Sequence, residues 1–116
     1  MAFDFENLEV YKSARIINQE ILKLLKIHPE INRSLKDQII RAASSIMLNI
    51  AEGSGRFTKP DKRNFYIIAR GSVFECVAIL DIFKDSSEIS AEEQSNIYQM
   101  LEKQSRMMWG IIQSLN

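Results

Sequence analysis

Residues Gln38–Gly53 read QIIRAASSIMLNIAEG, and the phase of this segment decides the fold. At 100° per residue, Gln38, Arg41, Ser45, Asn49 and Glu52 fall in one narrow stripe. Leu35, Ile39, Ala42, Ala43, Ile46 and Ile50 cover the opposite face, and Leu48 interrupts the polar one. A solvated helix face usually carries Lys and Glu in i,i+4 pairs. This stripe instead carries an amide, a hydroxyl, a guanidinium and a carboxylate, groups that hydrogen-bond one another well. The segment is therefore expected to be a helix with two contact faces, one for its own core and one for a polar interface.

Three further helical segments surround it. Before it, Val10, Ala14, Ile17, Ile21 and Leu24 repeat at 4-3-4-3 spacing, the seam of a bundle helix, widened by Tyr11, Leu22 and Leu25. His28-Pro29 ends that helix, because the residue before proline is pushed out of the helical region. The second helix is expected to start at Ser34, an N-cap with Asp37 three residues on, and to stop at Gly53 in a left-handed C′ conformation. The third begins near Pro60, with Asp61 favourable to the helix dipole. The fourth opens with the capping box Ser90-Ala91-Glu92-Glu93 and runs Ile97, Leu101, Gln104, Met108, Ile111, Leu115. No segment reads as a strand, and the connections are short. The expected fold is all-α: residues 1–116 form a single antiparallel up-down-up-down four-helix bundle.

Bulk properties agree. The chain has 116 residues, 46% of them hydrophobic, with four Gly and two Pro, enough for one packed core without metals or disulfides. The single Cys76 permits no intrachain disulfide and no cysteine-based zinc site. No signal-peptide pattern opens the sequence, and no apolar run approaches the roughly 20 residues of a spanning helix. A cytoplasmic protein without a membrane partner is expected.

The zero net charge hides an asymmetry. Residues 10–70 hold twelve Lys/Arg against five Asp/Glu, while residues 71–116 hold three against seven. A basic face is compatible with this balance, and so are opposite charges facing each other between neighbouring helices.

The bundle also has apolar surface to spare. Phe65, Ile68, Ile79 and Phe83 mark one face of the third helix, with Ile67, Phe74 and Val77 on its far side near Arg63 and Arg70. Trp109 and Tyr98 flank one edge of the fourth helix, and Met100 and Met107 the other. Aromatic and Met residues spread so widely favour self-association. Ser72 and Glu75 intrude between Ile68 and Ile79. A buried carboxylate needs partners, so Glu75 is expected to be buried and paired with Arg41, with Asn49 and Gln38 as further donors. Gly71 is expected to allow close helix approach.

The connection Gly53-Ser54-Gly55-Arg56-Phe57-Thr58-Lys59-Pro60, followed by Lys62 and Arg63, places four basic residues at a helix N-terminus. Arg56, Lys59, Lys62 and Arg63 can hold phosphate there and Phe57 can stack on a base; a plain surface loop has the same composition. Should this cluster not bind, Arg15, Lys23 and Lys26 on the first helix are the next basic surface. Neither a Walker motif nor a Rossmann fingerprint is present. Catalytic constellations are missing as well: the one histidine, His28, sits at a helix end, and Cys76 lies in an apolar stretch that makes it an inert thiol. No catalytic residue, metal ligand or cofactor is assigned.

Phe5-Glu6-Asn7-Leu8 with Val10-Tyr11, the run Gln38–Ile46, Asn49-Ile50-Ala51-Glu52-Gly53, Ile68-Ala69-Arg70-Gly71-Ser72 and Glu75 together carry a resemblance. The chain resembles the 23S rRNA intervening-sequence protein family, short bacterial four-helix-bundle proteins, over almost its full length. It departs at Met47-Leu48, where the family commonly has proline and a small residue, so its helix should run straight there. The resemblance implies a bundle that assembles as a ring, a homopentamer. The family is also similar to the accessory proteins of diversity-generating retroelements, basic pentameric barrels that bind nucleic acid. These implications and the basic segment point to a non-enzymatic homo-oligomer that binds RNA, DNA or a nucleic-acid-processing partner. The alternative is a protein-only oligomeric scaffold whose basic residues serve salt bridges between subunits. A structural polar network or interface is expected from Gln38, Arg41, Ser45, Asn49, Glu52, Arg70, Ser72 and Glu75.

Overall fold

Four amphipathic helices bury one common core in the computed structural model, which describes residues 3–116. They are α1 (Glu9–Ile27), α2 (Arg33–Ser54), α3 (Lys59–Asp85) and α4 (Ala91–Ser114), preceded by a short 3-10 turn over Asp4–Asn7. No strand occurs among the described residues. Each helix packs on its two neighbours, α1 on α2, α2 on α3, α3 on α4 and α4 on α1, the arrangement of an up-down-up-down four-helix bundle.

The α1 seam Val10, Ala14, Ile17, Ile21 and Leu24 is buried as its spacing demands, and the backbone N–H of His28 closes the helix on the Leu24 carbonyl. Facing it are Ile39, Ile46 and Ile50 of α2, Val73, Leu80 and Phe83 of α3, and Leu101 and Met108 of α4, all within 2% of full burial. A further member is polar: Gln104 has no exposed surface, and its Nε2 donates to the Val10 carbonyl at 2.9 Å. In α4 the seam steps from Met108 to Ile112, which is buried, while Ile111 is half-buried.

The helix ends differ in part from the expectation. Ser90 and Glu93 do form the reciprocal capping box of α4, and Thr58 caps α3 by accepting from Asp61 N at 3.2 Å, with Pro60 in the first turn. For α2 the N-cap is Asn32, two residues before the expected Ser34, and its side chain accepts from Leu35 N at 3.2 Å. Nor does α2 stop at Gly53. It continues without a break through Met47-Leu48 and on to Ser54, and no described glycine has a positive φ. Gly53 is buried where α2 crosses α3, and a Cβ there would lie 2.9 Å from Phe65 Cβ. This glycine sets how closely two helices approach, the role expected of Gly71, whose added Cβ would meet nothing within 4 Å. The left-handed residue is Ser87 (φ 59°), beyond α3, where Ser87 N bonds the Lys84 carbonyl and Glu88 N the Phe83 carbonyl. These two bonds are those of a Schellman ending.

Candidate nucleic-acid interface

The four basic residues at the α2–α3 connection point in different directions. Arg56 pairs with Glu52 at 3.4 Å, and its guanidinium lies 4.5 Å from the centre of the Phe65 ring. The Lys62 ammonium donates to the Ser54 carbonyl at 2.9 Å, satisfying one of the open carbonyls at the end of α2. Lys59 is exposed, and among the described residues it has no carboxylate within 4.0 Å. Phe57, the expected stacking residue, projects wholly into solvent. Arg63 is half-buried and turns away from this loop towards α4.

There Arg63 meets Arg70 in a groove of about 330 Å³ between α3 and α4, walled by Ile67, Phe74 and Trp109. The bare backbone of Gly71 leaves this groove open. Arg70 Nε donates to the Ser105 carbonyl at 3.3 Å, which anchors the guanidinium 4.8 Å from the Phe74 ring centre and 5.2 Å from that of Trp109. Arg63 Nε is buried with no acceptor. A second groove continues along the same helix pair past Phe74, and its charged residues are acids, Asp81 and Glu102. The α3–α4 face thus changes sign along its length. The sequence placed Ile67 and Phe74 near the two arginines, but it did not bring Trp109 to them, and it assigned Arg70 to a structural network and missed its place in the basic groove.

Three of the eight residues expected in a polar network, Ser45, Asn49 and Ser72, bond one another. Ser72 is buried, and its hydroxyl donates to Ser45 Oγ across the α2–α3 contact at 2.8 Å. Asn49 Nδ2 donates to the same oxygen at 2.9 Å and to the Ser45 carbonyl at 2.8 Å. Gln38 and Arg41 remain exposed. The expected burial of Glu75 and its pairing with Arg41 do not occur: both are exposed and no salt bridge joins them. The cause is the phase of α3. Its buried face is centred on Ala69, Cys76 and Phe83, with Tyr66, Val73 and Leu80 beside them. At 100° per residue this turns Glu75 outward together with Ile68, which is 53% exposed instead of lying in the core.

The reactive groups elsewhere are held quiet. Cys76 is fully buried, and burial, with a smaller contribution from the neighbouring Glu75 charge, pushes its thiol up to about 12. His28 Nε2 donates a hydrogen bond to Glu93 Oε2 at 2.7 Å, tying the end of α1 to the start of α4. Among the described residues no group of three or more His, Cys, Asp or Glu side chains is arranged to hold a metal ion. No described helix is long and apolar enough to cross a membrane.

Residues 6–110 match the model of a family described as 23S rRNA-intervening sequence protein. Among solved structures, the chain is similar to a crystal structure of a protein with unknown function from the S23 ribosomal protein family of Bacteroides thetaiotaomicron. That comparison has a TM-score of 0.82 at 22% identity, covering 89% of this chain and 97% of the other. Identity that low carries the shared fold alone. No curated protein matches the chain.

Proposed function

The chain belongs to the 23S rRNA-intervening sequence protein family, and from that premise we propose that it is a non-enzymatic bacterial assembly module of the cytoplasm that binds RNA or DNA. Copies of the bundle associate, as a ring of five in this reading, and the basic surface at the start of α3 meets the nucleic acid. The observation that carries the reading is that three of the four cations there lack a carboxylate partner. Lys59, Lys62 and Arg63 have no carboxylate partner within 4.0 Å among the described residues, and only Arg56 is paired. Cations without a carboxylate partner keep their charge available to phosphates, and a ring repeats the cluster around its axis so that weak contacts add through avidity. Self-association is supported by exposed apolar side chains on adjacent helices, Leu48 of α2 with Ile68 and Ile82 of α3.

Native mass measured with and without a structured RNA, at low and at physiological salt, tests the proposal. Binding should weaken as salt rises. Replacing Arg56, Lys59, Lys62 and Arg63 by Gln should lower affinity and flatten the salt slope by up to about 3, with the mass of the assembly unchanged. A native mass of one chain removes the assembly, and a dimer removes the ring. Failure of the wild-type protein to bind nucleic acid at either salt leaves a protein-only scaffold. Binding unchanged by the four replacements moves the contact to Arg15, Lys23 and Lys26 on α1.

A further inference from the structure

We propose that the groove between Arg63, Arg70, Phe74 and Trp109 is a binding site for one unstacked nucleotide of a single strand, with the base against Trp109 and its phosphate between the two guanidiniums. The inference rests on the nucleic-acid reading above and places its contact on the helix pair instead of the loop. Two independent observations carry it. The charged side chains of the groove are both arginines, which offer donors and no acceptors, and neither has a carboxylate within 4.0 Å among the described residues. Arg63 Nε is moreover buried with no acceptor, a donor whose desolvation is uncompensated until something brings an oxygen to it.

The walls select among anions. Phe74 is 56% and Trp109 46% exposed, so the groove pairs open aromatic surface with donors. A nucleotide supplies a π-face and phosphate oxygens together, and base-on-aromatic stacking is the usual sequence-tolerant anchor for single strands. The surroundings extend the match from a nucleotide to a strand. Lys59, Arg63 and Arg70 recur at i, i+4 and i+11, one stripe about 16 Å long on α3. Across the groove, residues 103–116 contain no Asp or Glu. The stripe ends where Asp81 begins the acidic groove.

Trp109 is the one tryptophan of the chain, so its fluorescence reads this groove alone. The full-length protein is titrated with a short oligouridylate, and in parallel with inorganic polyphosphate, which has the charge without the bases. Binding is followed independently by gel mobility. The expected result is saturable quenching by oligouridylate and little by polyphosphate. The affinity should fall roughly tenfold in the Arg63→Gln/Arg70→Gln variant and at least severalfold in Trp109→Leu, with helicity and native mass unchanged. Arg70→Gln alone serves if the double variant fails to fold. Oligouridylate that binds by gel mobility without touching Trp109 emission overturns the groove and leaves the proposed function standing, whereas no binding in either assay removes both. Equal quenching by polyphosphate overturns the base contact. Emission that shifts with protein concentration and ignores oligouridylate assigns the groove to a second copy of the chain.

Discussion

Glu93 binds His28 across 65 positions of sequence: Oε2 meets His28 Nε2 at 2.7 Å, while Oε1 accepts from the Ser90 backbone N–H at 2.8 Å. One carboxylate thus completes the α4 capping box and ties down the end of α1. Glu30 adds a weaker contact to His28 Nδ1 at 3.3 Å. The hydrogen bond to the Glu93 carboxylate, opposed in part by burial, raises the histidine above its ordinary 6.5. The Ser90 N–H and His28 in turn hold Glu93 below its ordinary 4.5.

A pH window follows from these directions. The raised histidine stabilises the fold fully below pH 6.5 and loses that contribution as pH rises through its folded value. The lowered carboxylate stabilises it above pH 4.5 and loses its contribution as pH falls through its folded value. The pair therefore contributes most between about pH 4.5 and 6.5. His28→Gln should lower stability by about 1 kcal/mol in that window and by less at pH 8. Denaturant unfolding of both proteins across pH checks it; a loss independent of pH would show that the charge of His28 does not matter.

Gly53→Ala should destabilise despite the better helix propensity of alanine. The added methyl would sit 2.9 Å from Phe65 Cβ, 3.3 Å from Tyr66 Cε1 and 3.4 Å from the Lys62 carbonyl. Overpacking of this kind costs about 1–3 kcal/mol, against about 1 kcal/mol gained from propensity. Gly55→Ala, whose nearest neighbour would be 3.6 Å away, is the control and should stay close to wild type. Thermal unfolding that ranks the two variants the other way would contradict the close approach of α2 and α3.

Ser87→Gly should stabilise. Its φ of 59° is a conformation that side chains disfavour, held here by the Schellman bonds after α3. Relief of that strain, less the extra freedom of glycine in the unfolded chain, leaves a gain of about 0.5 kcal/mol. A lower midpoint in urea for the variant would contradict this.

Two double-mutant cycles separate the polar contact that forms from the one that does not. Ser45→Ala with Ser72→Ala should show a coupling of about 0.5–1.5 kcal/mol, since each hydroxyl partners the other inside the α2–α3 contact. Arg41→Met with Glu75→Leu should be additive, each change lying within about 0.5 kcal/mol, because both side chains are exposed. Coupling in the second cycle would restore the ion pair that the structure lacks.

Punctuation and seams were the legible part of the fold. His28-Pro29, Pro60 and Ser90-x-x-Glu93 are local signals whose chemistry acts within one turn, and each ends or starts a helix in its expected place. The α1 seam was legible because its other face is mostly polar, with Ile16, Leu22 and Ile27 the exposed apolar exceptions. In α3 apolar residues occur all round, so periodicity left its phase open; Ile68 and Glu75 were turned inward on paper and lie outward in the bundle. The direction of Arg63 was beyond the sequence for a related reason. Its position in the basic run groups it with Arg56 and Lys59, and only the packing of α4 against α3 brings it to Arg70 and Trp109. The His28–Glu93 contact carried no local signal, since two distant helix ends create it.

Cys76 gives this bundle a built-in gauge of its own opening. Its sulfur is the only thiol in the chain, lies in the inner part of the helix that touches both α2 and α4, and is both sealed from solvent and held protonated. A maleimide or disulfide reagent can therefore reach it only while those helices are apart, and the labelling rate becomes a count of how often the interior is breached. Any ligand or second copy that clamps α3 should slow that clock exponentially with the stability it adds, about tenfold for each 1.4 kcal/mol.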